Sequence, residues 1–180
     1  MSVAPVIHIG GWPGAGKRSI GAALAARYGG RLLDNHAFLD LAQRVFDRYA
    51  RDCAALRSDL RTVVLRAALS LPPPVPVIFT DALSDDPADL AMFQPVVDFA
   101  RDRGADLRTI VLDIEEAENI TRLTDPKRSG FKLRDPDVLR KLRKQHRLLE
   151  SVGTWHVEVT GLSAVEAADA IAREMGLADG

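Results

Sequence analysis

Gly11-Trp12-Pro13-Gly14-Ala15-Gly16-Lys17 satisfies the pattern G-x-x-x-x-G-K, a spacing whose chemistry is the cradling of a phosphate chain. Glycines at these places let successive backbone N–H groups turn inward around an anion. A helix starting at the lysine adds the positive end of its dipole, and Lys17 supplies a point charge for the outer phosphates. A nucleoside triphosphate fits such a cradle. A dinucleotide fingerprint would need G-x-G-x-x-G, which the stretch does not provide. Gly11, Pro13, Gly14, Ala15, Gly16, Lys17, Arg18 and Ser19 are therefore the expected nucleotide-binding residues. One of them departs from the pattern. Arg18 stands where a Ser or Thr hydroxyl ordinarily meets Mg²⁺, and the hydroxyl arrives one residue later at Ser19, so the ion is expected to be held mainly through water.

Two carboxylates follow at places where they could act. Asp34, in Asp34-Asn35-His36, ends a short apolar piece that begins at Arg31. In open α/β sheets ligands bind beyond the carboxyl ends of the strands, so Asp34 is expected to orient an acceptor alcohol and take its proton. The competing reading is that Asp34 or Asn35 caps the next helix. His36 is a second candidate for the acceptor side. Asp81 ends the run Val77-Ile78-Phe79-Thr80 and is expected to steady Mg²⁺ together with Ser19, against the alternative of a turn residue. Asp85 or Asp86 is expected to cap the helix that begins at Pro87.

Charge is concentrated late in the chain. Between Arg122 and Arg147 ten lysines and arginines face three aspartates, in a protein of 180 residues whose formal net charge is only −1. Cations on a closing loop could counter the charge that builds on a transferring phosphoryl group and exclude water. Arg128, Lys132 and Arg134 lie in such a stretch; the bland alternative, a solvated helix face, applies most to Arg140, Lys141, Lys144 and Arg147. Phe131 is the lone aromatic of the segment, so no platform for base stacking accompanies the cations and nucleic acid is not the expected partner.

The elements that must position these residues alternate. The sequence predicts strands at Val3–Ile9, Arg31–Leu33, Val75–Thr80, Leu107–Ile114 and His156–Thr160. It predicts helices at Ser19–Tyr28, Ala37–Tyr49, Cys53–Leu71, Pro87–Arg103, Pro136–Glu150 and Ala164–Met175, with Pro72, Pro73, Pro74 and Pro76 stopping the third. Strands separated by helices need crossover connections, so a five-stranded parallel sheet flanked by helices is expected, as one α/β domain over 1–180. A lid at about 122–136 and an acceptor-side helical region at about 35–71 belong to the same expectation. Hydrophobic residues make up 47% and charged residues 27%, enough to bury a core. A single cysteine, Cys53, rules out an internal disulfide framework. No apolar run is long enough to span a bilayer and the start lacks the marks of a signal peptide, so the cytoplasm is the expected location.

Gly11 to Ser19, with proline third, Gly-Ala-Gly before the lysine and a hydroxyl two residues after it, resembles the phosphate loop of the shikimate-kinase-like and adenylate-kinase-like small P-loop kinases. The resemblance implies a P-loop three-layer sandwich with sheet order 2-3-1-4-5, ATP as donor with Mg²⁺, and a mobile lid. It also implies that Asp34 is the acidic residue ending the second strand and Asp81 the acid ending the third. By the same likeness Arg122 would stack on the adenine, Arg128 would reach the phosphates, Arg140 or Arg143 would face the acceptor, and Thr160 and Gly161 would hold the adenine edge. Lys17, Asp34 and Arg128 are then the expected catalytic residues, and Asp34, His36 and Arg140 the acceptor-binding ones.

The chain has neither an Asn-Lys-x-Asp clamp nor an Asp-x-x-Gly switch, so it is not expected to be a GTPase. After the third strand it reads Asp81-Ala82-Leu83-Ser84. Nucleoside monophosphate kinases would carry Asp-Gly-[Phe/Tyr]-Pro-Arg there, and shikimate kinases a triple glycine. The expected function is transfer of the γ-phosphoryl group of ATP to a hydroxyl of a small molecule, by a monomer or homodimer without a membrane partner. The alternatives are an ATP-binding regulatory module and a nucleotide kinase. Arg44, Arg48, Arg51, Arg57 and Arg61 in the helical insert leave the charge of the acceptor open.

Overall fold

A computed structural model describes residues 3–126, 133–175 and 177. Five parallel strands form one sheet in the order β2-β3-β1-β4-β5: β1 (Val6–Gly11), β2 (Arg31–Asp34), β3 (Val77–Thr80), β4 (Leu107–Asp113) and β5 (Trp155–Glu158). The helices are α1 (Lys17–Arg27), α2 (Asn35–Ala42), α3 (Arg51–Ala68), α4 (Pro87–Arg103), α5 (Glu116–Thr124), α6 (Pro136–Gln145) and α7 (Ala164–Met175). This is the expected three-layer α/β architecture. Among the described residues no helix is long and apolar enough to cross a membrane.

The period of two along β1 divides the core between the faces of the sheet. Ile7 and Ile9 point toward α1 and α7, where they join Ile20, Leu24, Ile110, Leu112 and Ile171 in one buried cluster. Val6 joins Phe79, Leu65, Phe93, Val96 and Phe99 on the face covered by α3 and α4. His8 falls on that second face, with its ring edge-on to Phe93 at 4.8 Å. Parallel strands covered on both sides read as continuous apolar runs, which is why Val77-Ile78-Phe79 carries no polar alternation.

Element boundaries moved where local bonding competed with the helical pattern. The expected helix Ala37–Tyr49 ends at Ala42, wound down by short-range bonds from Arg44 N to Leu41 O and Val45 N to Ala42 O. Helix α6 stops at Gln145 rather than Glu150, because Leu148 bridges Ser84 and the Leu149 amide donates to Leu83 O. The pairing draws the chain after α6 against the loop that follows β3. Helix α5 was not expected at all, although Glu116 and Glu118 in its first turn suit the positive end of a helix.

One cap was expected and a second was not. Asp86 accepts from the Ala88 amide at 2.8 Å ahead of Pro87 at the start of α4. Ser163 and Glu166 bond reciprocally at the head of α7, Ser163 N to Glu166 Oε2 at 2.8 Å and Glu166 N to Ser163 Oγ at 3.3 Å, the arrangement of a capping box.

Candidate active site

The phosphate loop lies between the end of β1 and the head of α1. Gly14 and Gly16 hold φ of 94° and 97°, a region that costs other residues about 1–2 kcal/mol. At Gly14 space is short as well, since a Cβ there would come within 2.7 Å of Asn119 Nδ2. Helix α1 has no side-chain cap and no acidic residue in its first turn. It begins instead with two cations, Lys17 and Arg18. Bare first-turn amides with positive charges beside them make an unfavourable helix start that an anion would relieve. The Lys17 ammonium donates to the loop's own carbonyls, Gly11 O at 2.6 Å and Trp12 O at 2.9 Å.

A brace holds the loop from behind. Asn119 on α5 is fully buried; its Nδ2 donates to Pro13 O at 2.9 Å and its Oδ1 accepts from Arg143 Nη1 at 3.1 Å. Arg143 on α6 also donates to Ile114 O at 3.3 Å, and its guanidinium lies 5.8 Å from the centre of the Trp12 ring. Neither Asn119 nor this role for Arg143 is among the sequence expectations. Asn119 carries no motif, and only burial of an amide inside α5 marks it.

The acceptor side is built by the ends of β2 and β3, which their register brings level. Asp34 pairs with Thr80 across the two strands, and Thr80 Oγ1 donates to Asp34 Oδ1 at 2.8 Å. Asp34 is 6% exposed. Its side chain makes no cap bond to α2, although its backbone stands at the N-cap, so the carboxylate is left for the cleft. Asp34 Oδ2 lies 3.3 Å from Arg18 Nε. One cleft of about 740 Å³ is lined by Pro13, Gly14, Lys17 and Arg18 on one side and by Asp34, His36, Arg57 and Asp81 on the other.

Asp81 is buried with His8, which the sequence did not single out, and with Arg61, read there only as one of the insert arginines. Its Oδ2 lies 3.6 Å from His8 Nε2 and 3.5 Å from Arg61 Nη2, and its Oδ1 is buried without a hydrogen-bond partner. An arginine and a histidine in an apolar layer need such a carboxylate. Arg57, one turn of α3 before Arg61, donates to Asn35 Oδ1 at 2.8 Å. Burial lowers the Arg57 pKa from its ordinary value, with the Asp81 carboxylate opposing and Arg61 adding to the shift. Arg57 thus brings a partly buried guanidinium to the cleft wall.

Magnesium, implied by the likeness to P-loop kinases, can be tested against these side chains. The buried, unbonded Asp81 Oδ1 and the cleft-lining Ser19 suit an ion carried on phosphates and touched through water. Among the described residues no group of three or more His, Cys, Asp or Glu could hold a metal by itself.

The remaining expected residues sit apart from this cleft or on its rim. Arg122 lines it, with Nη2 donating to Val159 O at 2.9 Å, to Leu162 O at 3.0 Å and to Glu118. The Thr160 amide donates to Glu158 at 2.8 Å and the Gly161 amide to Glu118 at 2.7 Å, so both are engaged within the protein. Arg140 pairs with Asp137 at 2.7 Å and Glu116 at 3.4 Å and does not line the cleft. Arg128, Phe131 and Lys132 lie outside the described residues, as does the central stretch 127–132 of the expected lid. Cys53 is buried.

No family model matches the chain. It is 29% identical over 181 residues, 97% of each chain, to a shikimate kinase of Thermobifida fusca. Its fold is similar to that of the Deinococcus radiodurans tunicamycin resistance protein, with a TM-score of 0.63 and 19% identity over 98% of both chains. It is also similar to a shikimate kinase from Acinetobacter baumannii in complex with shikimate, with a TM-score of 0.60 and 22% identity over 96% of this chain and 93% of that one. The five-stranded α/β fold is similar to that of these proteins.

Proposed function

We propose that this protein transfers the γ-phosphoryl group of ATP to a hydroxyl of a small molecule that also carries an anionic group. The observation behind this reading is that the phosphate loop and the buried carboxylate of Asp34 line one cleft. A binding module needs the first and has no use for the second.

In this reading Gly11 to Ser19 hold the triphosphate, with Lys17 leaving the loop carbonyls for the outer phosphates. The acceptor hydroxyl approaches Asp34 Oδ2, because Oδ1 is occupied by the Thr80 hydroxyl. As the acceptor oxygen bonds to the γ-phosphorus, the bond from that phosphorus to the bridging oxygen of ADP breaks and the hydroxyl proton passes to Asp34. Thr80 holds the carboxylate in a fixed orientation, so it need not be reorganised during transfer. Magnesium, carried on the phosphates and steadied through water by Asp81 and Ser19, would supply further positive charge. Arg122 and Arg128 are assigned to the nucleotide end, Thr160 and Gly161 to the adenine edge, and His36 to the acceptor.

Arg57 on the cleft wall supports an anionic acceptor, since a carboxylate or phosphate there would take charge-assisted bonds from its guanidinium fork. The full-length relative is a shikimate kinase, which makes hydroxylated carboxylic acids the first compounds to try. Shikimate belongs among them despite Asp81-Ala82-Leu83-Ser84 in place of a triple glycine.

The test is ADP production from ATP across hydroxy acids, sugars, nucleosides and antibiotics, in wild type and Asp34→Ala. Acceptor-dependent turnover should fall by at least about a hundredfold in the variant, the low end for loss of a general base. ATP binding with turnover that no acceptor stimulates would support the regulatory module instead.

A further inference from the structure

Arg18 is the residue at odds with the phosphate-loop pattern, and its position in the structure accounts for it. It occupies the second residue of α1, where a cation is disfavoured by the helix dipole, and it follows Lys17, a second cation in the same turn. Its side chain is about half exposed, lines the cleft and reaches Asp34 Oδ2 at 3.3 Å. That oxygen is buried and accepts no other hydrogen bond. One guanidinium therefore stands between the proposed base and the space beside Lys17 where the phosphates would lie.

We infer that Arg18 is an exchangeable latch: it neutralises Asp34 in the free protein and moves onto the phosphates when nucleotide binds, taking over charge neutralisation that the missing hydroxyl would have delegated to magnesium. The inference rests on the nucleotide assignment above. An ion pair with one half-exposed member is weak, worth about 1 kcal/mol or less. A polyphosphate carries more charge than one carboxylate and offers the guanidinium fork several oxygens, so the exchange is favourable. Two consequences follow. Asp34 Oδ2 opens to the acceptor only after nucleotide is seated, so productive acceptor binding follows nucleotide binding. Nucleotide also binds with little help from magnesium, because Arg18 swings a cation to the place where an ion would otherwise be coordinated.

The experiment is titration of full-length protein with the non-hydrolysable analogue AMPPNP, followed through Trp12 in the loop and by calorimetry, with magnesium in excess and with EDTA. Wild type should bind with affinities within about threefold of each other in the two conditions. Arg18→Ser, which restores a hydroxyl at the usual place, should lose roughly tenfold in EDTA, the scale of one charge-assisted hydrogen bond, and regain most of it with magnesium. Arg18→Lys keeps the charge without the fork and should fall between the two in EDTA. A crystal structure with AMPPNP should place the Arg18 guanidinium on a phosphate oxygen. If Arg18→Ser binds magnesium-free AMPPNP as tightly as wild type, or the guanidinium stays on Asp34 with nucleotide present, the latch is refuted while the kinase reading stands. If wild type binds no nucleotide in either condition, both fall together.

Discussion

Removing the side chain of Asn119, itself given no contact with a ligand, should loosen the phosphate loop from behind. Asn119→Ala takes away the donor to Pro13 O at 2.9 Å and the acceptor of Arg143 Nη1 at 3.1 Å, at a position with no solvent exposure. The Pro13 bond is worth about 1 kcal/mol. The bond to charged Arg143 is worth about 1.5 kcal/mol at the low end for such pairs, since Arg143 keeps Ile114 O and its place near Trp12. With the small void added, the loss is about 2–4 kcal/mol. A domain of this size shifts its Tm by about 2–4 °C per kcal/mol, so melting followed by circular dichroism should drop by roughly 4–16 °C. AMPPNP affinity should fall about tenfold, because the carbonyl of Pro13 is no longer fixed and the loop must be ordered by the ligand. Asn119→Asp separates the two bonds: it keeps an acceptor for Arg143 but sets a carboxylate oxygen against Pro13 O, and it should weaken nucleotide at least as much as alanine does. A Tm within about 2 °C of wild type together with unchanged affinity would refute the brace.

Three further outcomes are expected. Gly14→Ala, forced to hold φ of 94° with its Cβ 2.7 Å from Asn119 Nδ2, should abolish measurable AMPPNP binding by calorimetry while the far-ultraviolet spectrum stays native. Arg57→Ala should raise KM for an anionic acceptor at least about tenfold and leave kcat within about threefold, the pattern of binding shared by ground and transition states. An unchanged KM would remove the anionic group from the proposed acceptor. Stability should fall in acid, for a reason that can be traced. The Thr160 hydroxyl, then its amide, holds the Glu158 carboxyl below its ordinary value of 4.5, and the Ser163 hydroxyl, then its amide, does the same for Glu166. A carboxyl depressed in the folded state stabilises the fold above its unfolded pKa, and that contribution is lost as pH falls through the folded value. Tm should therefore hold from neutrality to about pH 5 and slide below it, more gently in Glu166→Gln, as a pH series of melts would record.

The parts legible in the sequence were those with local causes. Glycine spacing before Lys17 announced the loop, and alternation of apolar runs with helices announced a parallel sheet; the strand order came from the likeness to small P-loop kinases. Asp34 and Asp81 could be picked out because each ends an apolar run. What they touch could not be. His8 and Arg61 meet Asp81 from β1 and α3, a union made by folding. The hint in the sequence was a histidine between Ile7 and Ile9, a polar ring that had to find a partner once buried. Asn119 was hidden for the same reason, inside α5, a helix the sequence pattern did not announce. The late cluster of cations was read by charge alone, and the structure divides its described members. Arg143 turns inward to brace the loop, whereas Arg140 pairs with Asp137 and Glu116.

The destination of the γ-phosphoryl group is the most direct test of the whole account. Phosphorus NMR of wild-type protein with ATP and hydroxylated carboxylic acids should show a new phosphomonoester resonance growing as ADP forms, with at least about a hundredfold slower growth in Asp34→Ala. Inorganic phosphate as the sole product, at a rate indifferent to every acceptor and to Asp34, would contradict it.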